Sequence, residues 1–334
     1  MSTGMQPRPR ADIAAANRAS FARWTKAAVV FAVGLGLLGA AIWVATRDRE
    51  RFAQALEAIA RAPWWAVALA LLLYLLNFVF ASASFWVLTN RYGRVRFGEM
   101  FALIAGATLF NYLPLRPGMI ARVAYHKAVH RIQVRDSLRV LLAAVCCAGA
   151  AMLALLLAAW AAHSSTGGIG WAAAIMSAPG VIAALAAMAL CRRGASHRWR
   201  WPAAGAFRYL DMCVWTARYA LIFWLLGRPM SPPTAAAVAF SSQAAMLTPV
   251  QLGLREWVVG ATVGALSGDA HGRGLQLPAT LAALAPGLLA DVINRAIELC
   301  VAIPLGIAGT LILSARFRRA APANSLNPIA PPAL

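Results

Sequence analysis

The stretch WWAVALALLLYLLNFVFASASFWVL, residues 64–88, decides the fold class because it has no charged residue over 25 consecutive positions. A helix that crosses the hydrocarbon layer of a membrane needs about 20 predominantly apolar residues. The chain has three more runs of this kind, so the sequence predicts several membrane-spanning helices. These further uncharged runs are 27–45, 140–162 and 171–191.

Two later apolar segments contain charged residues. The segment 209–226 includes Asp211 and Arg218, and the segment 291–314 carries its charges in its first half. Together with the four uncharged runs, these segments predict an all-α fold. The expected architecture is a polytopic membrane helix bundle with about six full spans and two broken or re-entrant segments.

The composition excludes a water-soluble domain. Hydrophobic residues make up 61% of the 334 residues and charged residues only 13%, against about 25% charged in soluble domains. The net charge of +20 does not indicate nucleic acid as a partner, because the apolar runs leave no soluble face for a basic groove. The five cysteines lie in apolar stretches without a C-x-x-C pattern, so they are expected to be small buried hydrophobic residues.

Lysine and arginine are distributed unevenly between the loops. Of the 31 in the chain, 22 fall in segments that the positive-inside rule assigns to the cytoplasm. This pattern predicts a multi-pass protein of the cell membrane with both termini cytoplasmic. It also predicts one transmembrane domain over 27–314 and disordered tails over 1–26 and 315–334. The basic segments are 1–26, 89–98, 116–139, 192–208 and 316–334.

Two shorter segments do not fit a simple crossing. Residues 100–115 form an apolar run of 16 residues with basic flanks on both sides, which predicts a hairpin that enters from the cytoplasm and returns, or a broken helix. Residues 234–254 are interrupted near their end and resume as 257–268. The second segment follows an outer loop, so it is expected to enter from the outer side.

The two short segments share a proline–glycine spacing. Pro114-x-x-x-Gly118 in the first is repeated as Pro249-x-x-x-Gly253 in the second, with three predicted crossings between them. An odd number of crossings inverts the orientation, which predicts the inverted repeat of transporters whose site lies at broken helices. The alternative is that proline and glycine are simply common in membrane helices.

Polar residues of the last predicted span share one helix face. Asp291, Asn294, Arg295 and Glu298 are spaced i, i+3, i+4 and i+7. A charge at the centre of a bilayer costs at least about 2.5 kcal/mol, so this face is expected to point into the bundle and to be paired. Either Arg295 pairs with Asp291 and Glu298 in a structural network, or its planar guanidinium binds an anionic headgroup.

Arg255 and Glu256 follow the predicted break at Gly253. A helix that begins there would present free N–H groups and a positive dipole end, which suit a phosphate. Glu256 could instead cap the new helix. In this hypothesis no core packing depends on Arg255, so Arg255→Ala is expected to remove substrate binding and to leave the fold intact.

Other polar pairs have simpler interpretations. Asp211 and Arg218 share a helix face and are expected to form structural pairs. His126 and His130 are spaced as zinc ligands can be, but neighbouring basic residues favour a helix on the anionic cytoplasmic leaflet. No metal and no cofactor are expected.

Three stretches of the chain resemble one known family, the lysylphosphatidylglycerol synthase transmembrane-region family, also called the flippase-like domain family. Its signatures are a proline–glycine–arginine segment, a proline and glycine followed by an Arg-Glu pair, and a closing helix with an early arginine and a late Pro-Leu-Gly. The resemblance covers about residues 27–314. The matching stretches are NYLPLRPGMIARV (111–123), LTPVQLGLREWVV (247–259) and ADVINRAIELCVAIPLGIAG (290–309).

The resemblance implies an all-helical protein related to the lipid-translocating half of the synthases that aminoacylate phosphatidylglycerol. It adds Arg116 and Arg122 to the candidate substrate-binding residues Arg255, Glu256, Asp291, Arg295 and Glu298, with Pro114, Gly118, Pro249 and Gly253 as hinges. The full synthases append a large soluble aminoacyl-transferase domain, whereas only about 15 residues follow Arg319 here, so no synthase activity is expected. The sequence RPGMI at 116–120 also departs from the family's glycine followed by an acidic residue.

The leading hypothesis is a flippase-like transporter for an anionic or phosphate-bearing lipid, with membrane lipids as its partners. One alternative is a non-transporting partner of a lipid-modifying enzyme. Another is a membrane glycosyltransferase, because Asp48-x-Glu50 after the first span resembles an acidic pair of such enzymes. That loop is short and arginine-rich, which disfavours the last alternative.

Overall fold

The computed structural model describes residues 10–113, 117–163, 169–192, 199–248, 253–266 and 277–320. These residues form eleven α-helices and no strands, which confirms the predicted all-α bundle. The helices are α1 (Arg10–Arg47), α2 (Arg49–Ala60), α3 (Trp64–Thr89), α4 (Phe97–Asn111), α5 (Pro117–His130), α6 (Val134–His163), α7 (Ile169–Arg192), α8 (Arg200–Leu225), α9 (Pro232–Ala245), α10 (Leu254–Leu266) and α11 (Leu277–Ala320).

Four helices in the described part of the chain are long and apolar enough to cross a membrane. They are α3 and the segments Ala28–Arg47 of α1, Val134–Ala161 of α6 and Leu281–Arg318 of α11. The other two predicted spans lie in α7 and α8, which have 24 and 26 residues. At a rise of about 1.5 Å per residue, both helices exceed the roughly 30 Å of a hydrocarbon layer. The chain is therefore a helical bundle of the polytopic membrane type.

The first and last helices are longer than the sequence predicted. The helix α1 already begins at Arg10 and α11 continues to Ala320, so 10–26 and 315–320 are helical where disordered tails were expected. Alanine-rich composition favours helix in the first of these segments. Residues 1–9 and 321–334, the remainder of both predicted tails, lie outside the described residues.

Two pairs of short helices form antiparallel hairpins. In the first hairpin, α4 and α5, the hydroxyl group of Tyr125 near the end of α5 donates to Glu99 near the start of α4 at 2.6 Å. In the second hairpin, α9 and α10, Thr234 near the start of α9 and Leu266 at the end of α10 line one cavity. The predicted return of the chain after 100–115 is thus confirmed.

The two hairpins enter the bundle from opposite ends. The helices α3 and α8 are antiparallel, because the tilted rings of Trp65 and Trp224 lie with their centroids 5.4 Å apart while Val87 packs with Ala203 at the other end. The first hairpin follows the C-terminal end of α3, and the second follows the C-terminal end of α8. Since those helix ends point in opposite directions, the arrangement is inverted, as the three intervening crossings predicted.

The long helix α11 supports both hairpins. A Cβ atom added at Gly287 would lie 2.8 Å from the Cα atom of Gly260 on α10, and one added at Gly309 would lie 2.5 Å from the carbonyl oxygen of Ala102 on α4. Small residues allow this close approach of helix backbones in membrane bundles. The first half of α11 therefore packs on the second hairpin and its second half on the first hairpin.

The two ends of the bundle differ in charge and in aromatic residues. One end, called the basic end below, includes the start of α4 and the end of α11, where Arg316 pairs with Glu99 at 3.0 Å. Exposed tryptophans are found at both ends, as in the aromatic belts at membrane interfaces. Among the described residues they are Trp199 and Trp201 at the basic end and Trp43, Trp64, Trp65, Trp160 and Trp224 at the opposite end.

Candidate functional site

The tips of the two hairpins meet on the middle of α11, at Glu298. Tyr112, which ends α4 at the tip of the first hairpin, donates its hydroxyl hydrogen to Oε1 of Glu298 at 2.5 Å. Arg255, in the first turn of α10 at the tip of the second hairpin, donates from Nη1 to Oε2 of Glu298 at 2.9 Å. One buried carboxylate thus joins elements that enter from opposite ends of the bundle.

Arg255 is enclosed by the protein. Its Nε donates to Oδ2 of Asp291 at 2.8 Å, and its side chain has no solvent-exposed surface. Two of its three nitrogens are therefore committed to carboxylates of α11. The expectation that no packing depends on Arg255 is wrong, because its removal would strand the two buried carboxylates Asp291 and Glu298.

Arg295 pairs with a different partner from the one predicted. It lies 3.2 Å from Oε1 of Glu256 and 3.7 Å from Oε2 of Glu298, whereas Asp291 binds Arg255. Its side chain is 11% exposed, in contrast to the fully enclosed Arg255. The predicted pairing of Arg295 with Glu298 is confirmed and the pairing with Asp291 is wrong. Because Asp291 already pairs with Arg255 of α10, Arg295 pairs with Glu256 instead.

The second oxygen of Glu256 has no hydrogen-bond partner among the described residues, and neither does Nη2 of Arg255. Both atoms are buried. Buried polar atoms normally have partners, and those that lack them stand out as candidate positions for a ligand group.

The polar network continues from α11 into α8 and α3. The hydroxyl group of Tyr219 donates to Asp291 at 2.5 Å, and Arg218 donates to Asn294 at 2.5 Å and to Asn77 at 2.9 Å. Asn77 in turn donates to Oδ1 of Asp211 at 2.8 Å. Asp211 and Arg218 are therefore joined through Asn77, which makes their predicted structural role indirect.

A further contact extends the network toward the basic end. Asp211 pairs with Arg208 at 3.1 Å, and the guanidinium carbons of Arg208 and Arg122 lie 5.1 and 4.0 Å from the ring centroid of Phe85. Arg122 is 8% exposed. Within the described part of the chain, no hydrogen bond or ion pair joins its guanidinium to another residue. The term buried network is used below for Arg122, Arg208, Asp211, Arg218, Arg255, Glu256, Asp291, Arg295 and Glu298 with the uncharged groups between them.

Two glycines allow the hairpin tips to form. Gly253 has φ +82°, and a Cβ atom there would lie 2.4 Å from Cβ of Leu37 on α1. A side chain is disfavoured at this φ, so glycine suits the position for both reasons. A Cβ atom at Gly118 would lie 2.0 Å from the carbonyl oxygen of Ala107 on α4. The other predicted hinges, Pro114 and Pro249, and the candidate Arg116 lie outside the described residues.

The structure brings five predicted site residues together, namely Arg255, Glu256, Asp291, Arg295 and Glu298. The sequence did not single out Tyr112 and Tyr219, which donate to Glu298 and Asp291. It also did not single out Asn77, which links Asp211 to Arg218. One signal was present for Asn77, because it is the only amide side chain in the 64–88 run. The tyrosines carried no comparable signal, since aromatic residues are common in membrane helices.

The remaining sequence candidates lie apart from the buried network. The Nε2 atom of His130 is 3.1 Å from Glu99 at the basic end, and His126 is buried beside it rather than exposed on a surface helix. Asp48 lines a cavity of about 110 Å³ with Arg228 near the opposite end. A search of the described residues finds no group of three or more His, Cys, Asp or Glu that could hold a metal ion.

Comparisons of the chain with protein-family models, with curated proteins and with solved structures find no match.

Proposed function

We propose that this protein is a flippase-like transporter that moves an anionic, phosphate-bearing lipid across the membrane. The observation that carries the proposal is the meeting of two inverted hairpins at a buried network of charged side chains. Transporters with inverted repeats place their substrate sites where broken helices meet near the middle of the bilayer.

A lipid headgroup needs polar contacts to cross a layer of about 30 Å of hydrocarbon. Charged side chains within membrane helices are rare, and they commonly mark substrate or ion pathways. The buried network runs from the hairpin tips through α11 and α8 toward the basic end. A headgroup that moves beside these groups would exchange water for hydrogen bonds, while its acyl chains stay in the surrounding lipid.

Arg295 is the residue that we assign to the headgroup. It is partly exposed, whereas Arg255 is enclosed and has two nitrogens bonded to carboxylates. A guanidinium matches the oxygens of a phosphate in a bidentate geometry. Arg255 is then a positioning residue, which fixes Asp291 and Glu298 so that Arg295 keeps its orientation beside Glu256 and over the ring of Tyr112, 5.6 Å from its centroid.

The proposal also states which end of the bundle faces the cytoplasm and to which family the chain is related. The basic end faces the cytoplasm of a cell membrane, both termini are cytoplasmic, and the chain is related to the flippase-like domain family. Gln133 near the basic end and Arg61 near the opposite end are both exposed.

A labelling experiment tests this orientation. In a variant without native cysteines, Arg61→Cys is expected to react with an impermeant maleimide on intact cells, and Gln133→Cys only after lysis. The reverse pattern would overturn the orientation, because the same rigid bundle carries both positions.

Transport is tested with the purified protein in vesicles of phosphatidylcholine that contain a trace of fluorescent phosphatidylglycerol. Dithionite added outside is expected to quench more than half of the fluorescence in vesicles that contain the protein, whereas in protein-free vesicles the fluorescence loss ends at about half. A fluorescence loss of about half in both kinds of vesicle would reject transport and favour a non-transporting partner of a lipid-modifying enzyme. Incorporation of a sugar from an activated donor into lipid by the protein alone would favour a glycosyltransferase instead.

A further inference from the structure

An apolar groove lies on the first hairpin, outside the meeting point of the tips. It has a volume of about 480 Å³ and runs between α4, α5 and the last turns of α11. Phe110, Leu313 and Phe317 contribute to its walls, and Arg318 lies at the basic end of the molecule. The walls suit the methylene groups of an acyl chain, because they offer hydrocarbon contact along their length.

Arg122 also lines this groove. It is 8% exposed, and it contacts the ring of Phe85 without an ion pair or hydrogen bond to its guanidinium among the described residues. Arg218 likewise has no carboxylate of the described segments within ion-pair distance, but it is bonded to the amide oxygens of Asn77 and Asn294. Among the described residues, the guanidinium of Arg122 therefore has fewer hydrogen-bond and ion-pair partners than any other in the buried network.

The formal charges of the buried network do not cancel. It holds five arginines, Arg122, Arg208, Arg218, Arg255 and Arg295, and four carboxylates, Asp211, Glu256, Asp291 and Glu298. The excess is one positive charge, and Arg122 is the member of the network without a hydrogen bond or ion pair to any described residue. A cation withdrawn from water is stabilised by one nearby anion, which points to a ligand with a single negative charge.

We infer that the groove binds one acyl chain of a monoanionic phospholipid, whose phosphodiester contacts Arg122. This inference rests on the proposed function in that it names the class of lipid loaded and the place of loading. The lining of the groove reaches Arg318 at the basic end, and the exposed guanidinium of Arg318 would attract the same headgroup from the leaflet. A zwitterionic lipid would leave the excess charge uncancelled, and a lipid with two phosphates would bring one charge too many.

The test is lipid retention measured by native mass spectrometry. The purified full chain is equilibrated with mixed vesicles of phosphatidylglycerol and phosphatidylethanolamine in equal amounts and then extracted into a neutral detergent. The wild-type protein is expected to retain one phosphatidylglycerol in at least tenfold excess over phosphatidylethanolamine. Arg122→Gln is expected to remove most of that excess, Arg122→Lys to keep part of it, and the exposed control Arg135→Gln to leave it unchanged.

A second variant keeps the inference testable if Arg122→Gln does not fold. Ala124 is exposed and lines the groove, so Ala124→Phe fills the groove without removing a charged group of the buried network. It is expected to lower phosphatidylglycerol retention to the level of phosphatidylethanolamine. Equal retention of both lipids by the wild-type protein, or undiminished selectivity in Ala124→Phe, would overturn the inference.

Retention and transport are separate readouts. If the wild-type protein retains phosphatidylglycerol selectively but does not move it, the lipid site stands and the transport proposal fails. If it moves lipid without selective retention, or with unchanged selectivity in Arg122→Gln, the transport proposal stands and this site fails.

Discussion

Arg255→Ala is expected to lower the free energy of unfolding by about 3–5 kcal/mol, the effect of breaking a buried ion pair by removing one partner. The guanidinium contacts Asp291 at 2.8 Å and Glu298 at 2.9 Å, and no part of the side chain reaches the surface. Its loss leaves two carboxylates buried with fewer partners. The measurement is the thermal unfolding of the purified protein in detergent, compared with the exposed control Arg318→Ala.

A compensated variant separates the charge effect from simple loss of volume. Arg255→Met combined with Asp291→Asn and Glu298→Gln removes one positive and two negative charges but leaves no unpaired carboxylate at this point. This triple variant is expected to recover much of the stability that Arg255→Ala loses. If Arg255→Ala unfolds at the wild-type temperature, the side chain is not enclosed as described.

Arg295→Gln is expected to slow lipid transport at least tenfold, which corresponds to about 1.4 kcal/mol in the barrier. The amide of glutamine can still donate to Glu256, so the expected loss of stability is smaller than for Arg255→Ala, about 1–3 kcal/mol. The transport rate falls because the partly exposed cation at the hairpin tips is gone. The measurement is the initial rate of dithionite quenching, at equal amounts of folded protein per vesicle.

Two comparisons make the Arg295 result specific. Arg295→Lys keeps the positive charge and is expected to transport faster than Arg295→Gln, though more slowly than the wild type, because it cannot form the bidentate contact. Arg61→Gln changes a side chain that is 78% exposed, far from the tips, and should leave the rate unchanged. Normal transport by Arg295→Gln would contradict the assignment of the headgroup to this residue.

The sequence predicted the parts of the fold that are local. Uncharged runs such as 64–88 mark membrane helices because a charge within a span is costly. Basic flanks on both sides of 100–115 predicted the first hairpin, since a single crossing would have placed one basic flank outside. The inverted arrangement followed from counting the crossings between the two hairpins.

The partners of the charged residues were not predictable in the same way. Helical spacing placed Arg295 on one face with Asp291 and Glu298. In the structure, however, Asp291 pairs with Arg255, which is 36 positions away in the chain. The bond between Tyr112 and Glu298 joins residues 186 positions apart. Such pairings depend on how helices pack, and a single sequence carries no periodicity that reports it.

The sequence also did not predict the length of α11. Its 44 residues correspond to about 66 Å of helix, twice the thickness of a hydrocarbon layer. Pro286 and Pro304 lie inside it, although proline favours a helix end in soluble proteins. Proline is tolerated in membrane helices because neighbouring groups satisfy the freed backbone atoms. The charged residues therefore lie in the middle of α11, between the two hairpin contacts, rather than near its start.

The central claim is that a lipid headgroup passes between the two hairpin tips. The most direct measurement uses phosphatidylglycerol with a photoactivatable diazirine in its headgroup, irradiated in proteoliposomes and followed by peptide mapping. We expect adducts on residues 109–113 and 254–258 at the tips and on 291–298 of α11. Adducts confined to lipid-facing side chains of α3 and α6, such as Leu72, Leu142 and Leu153, would contradict it.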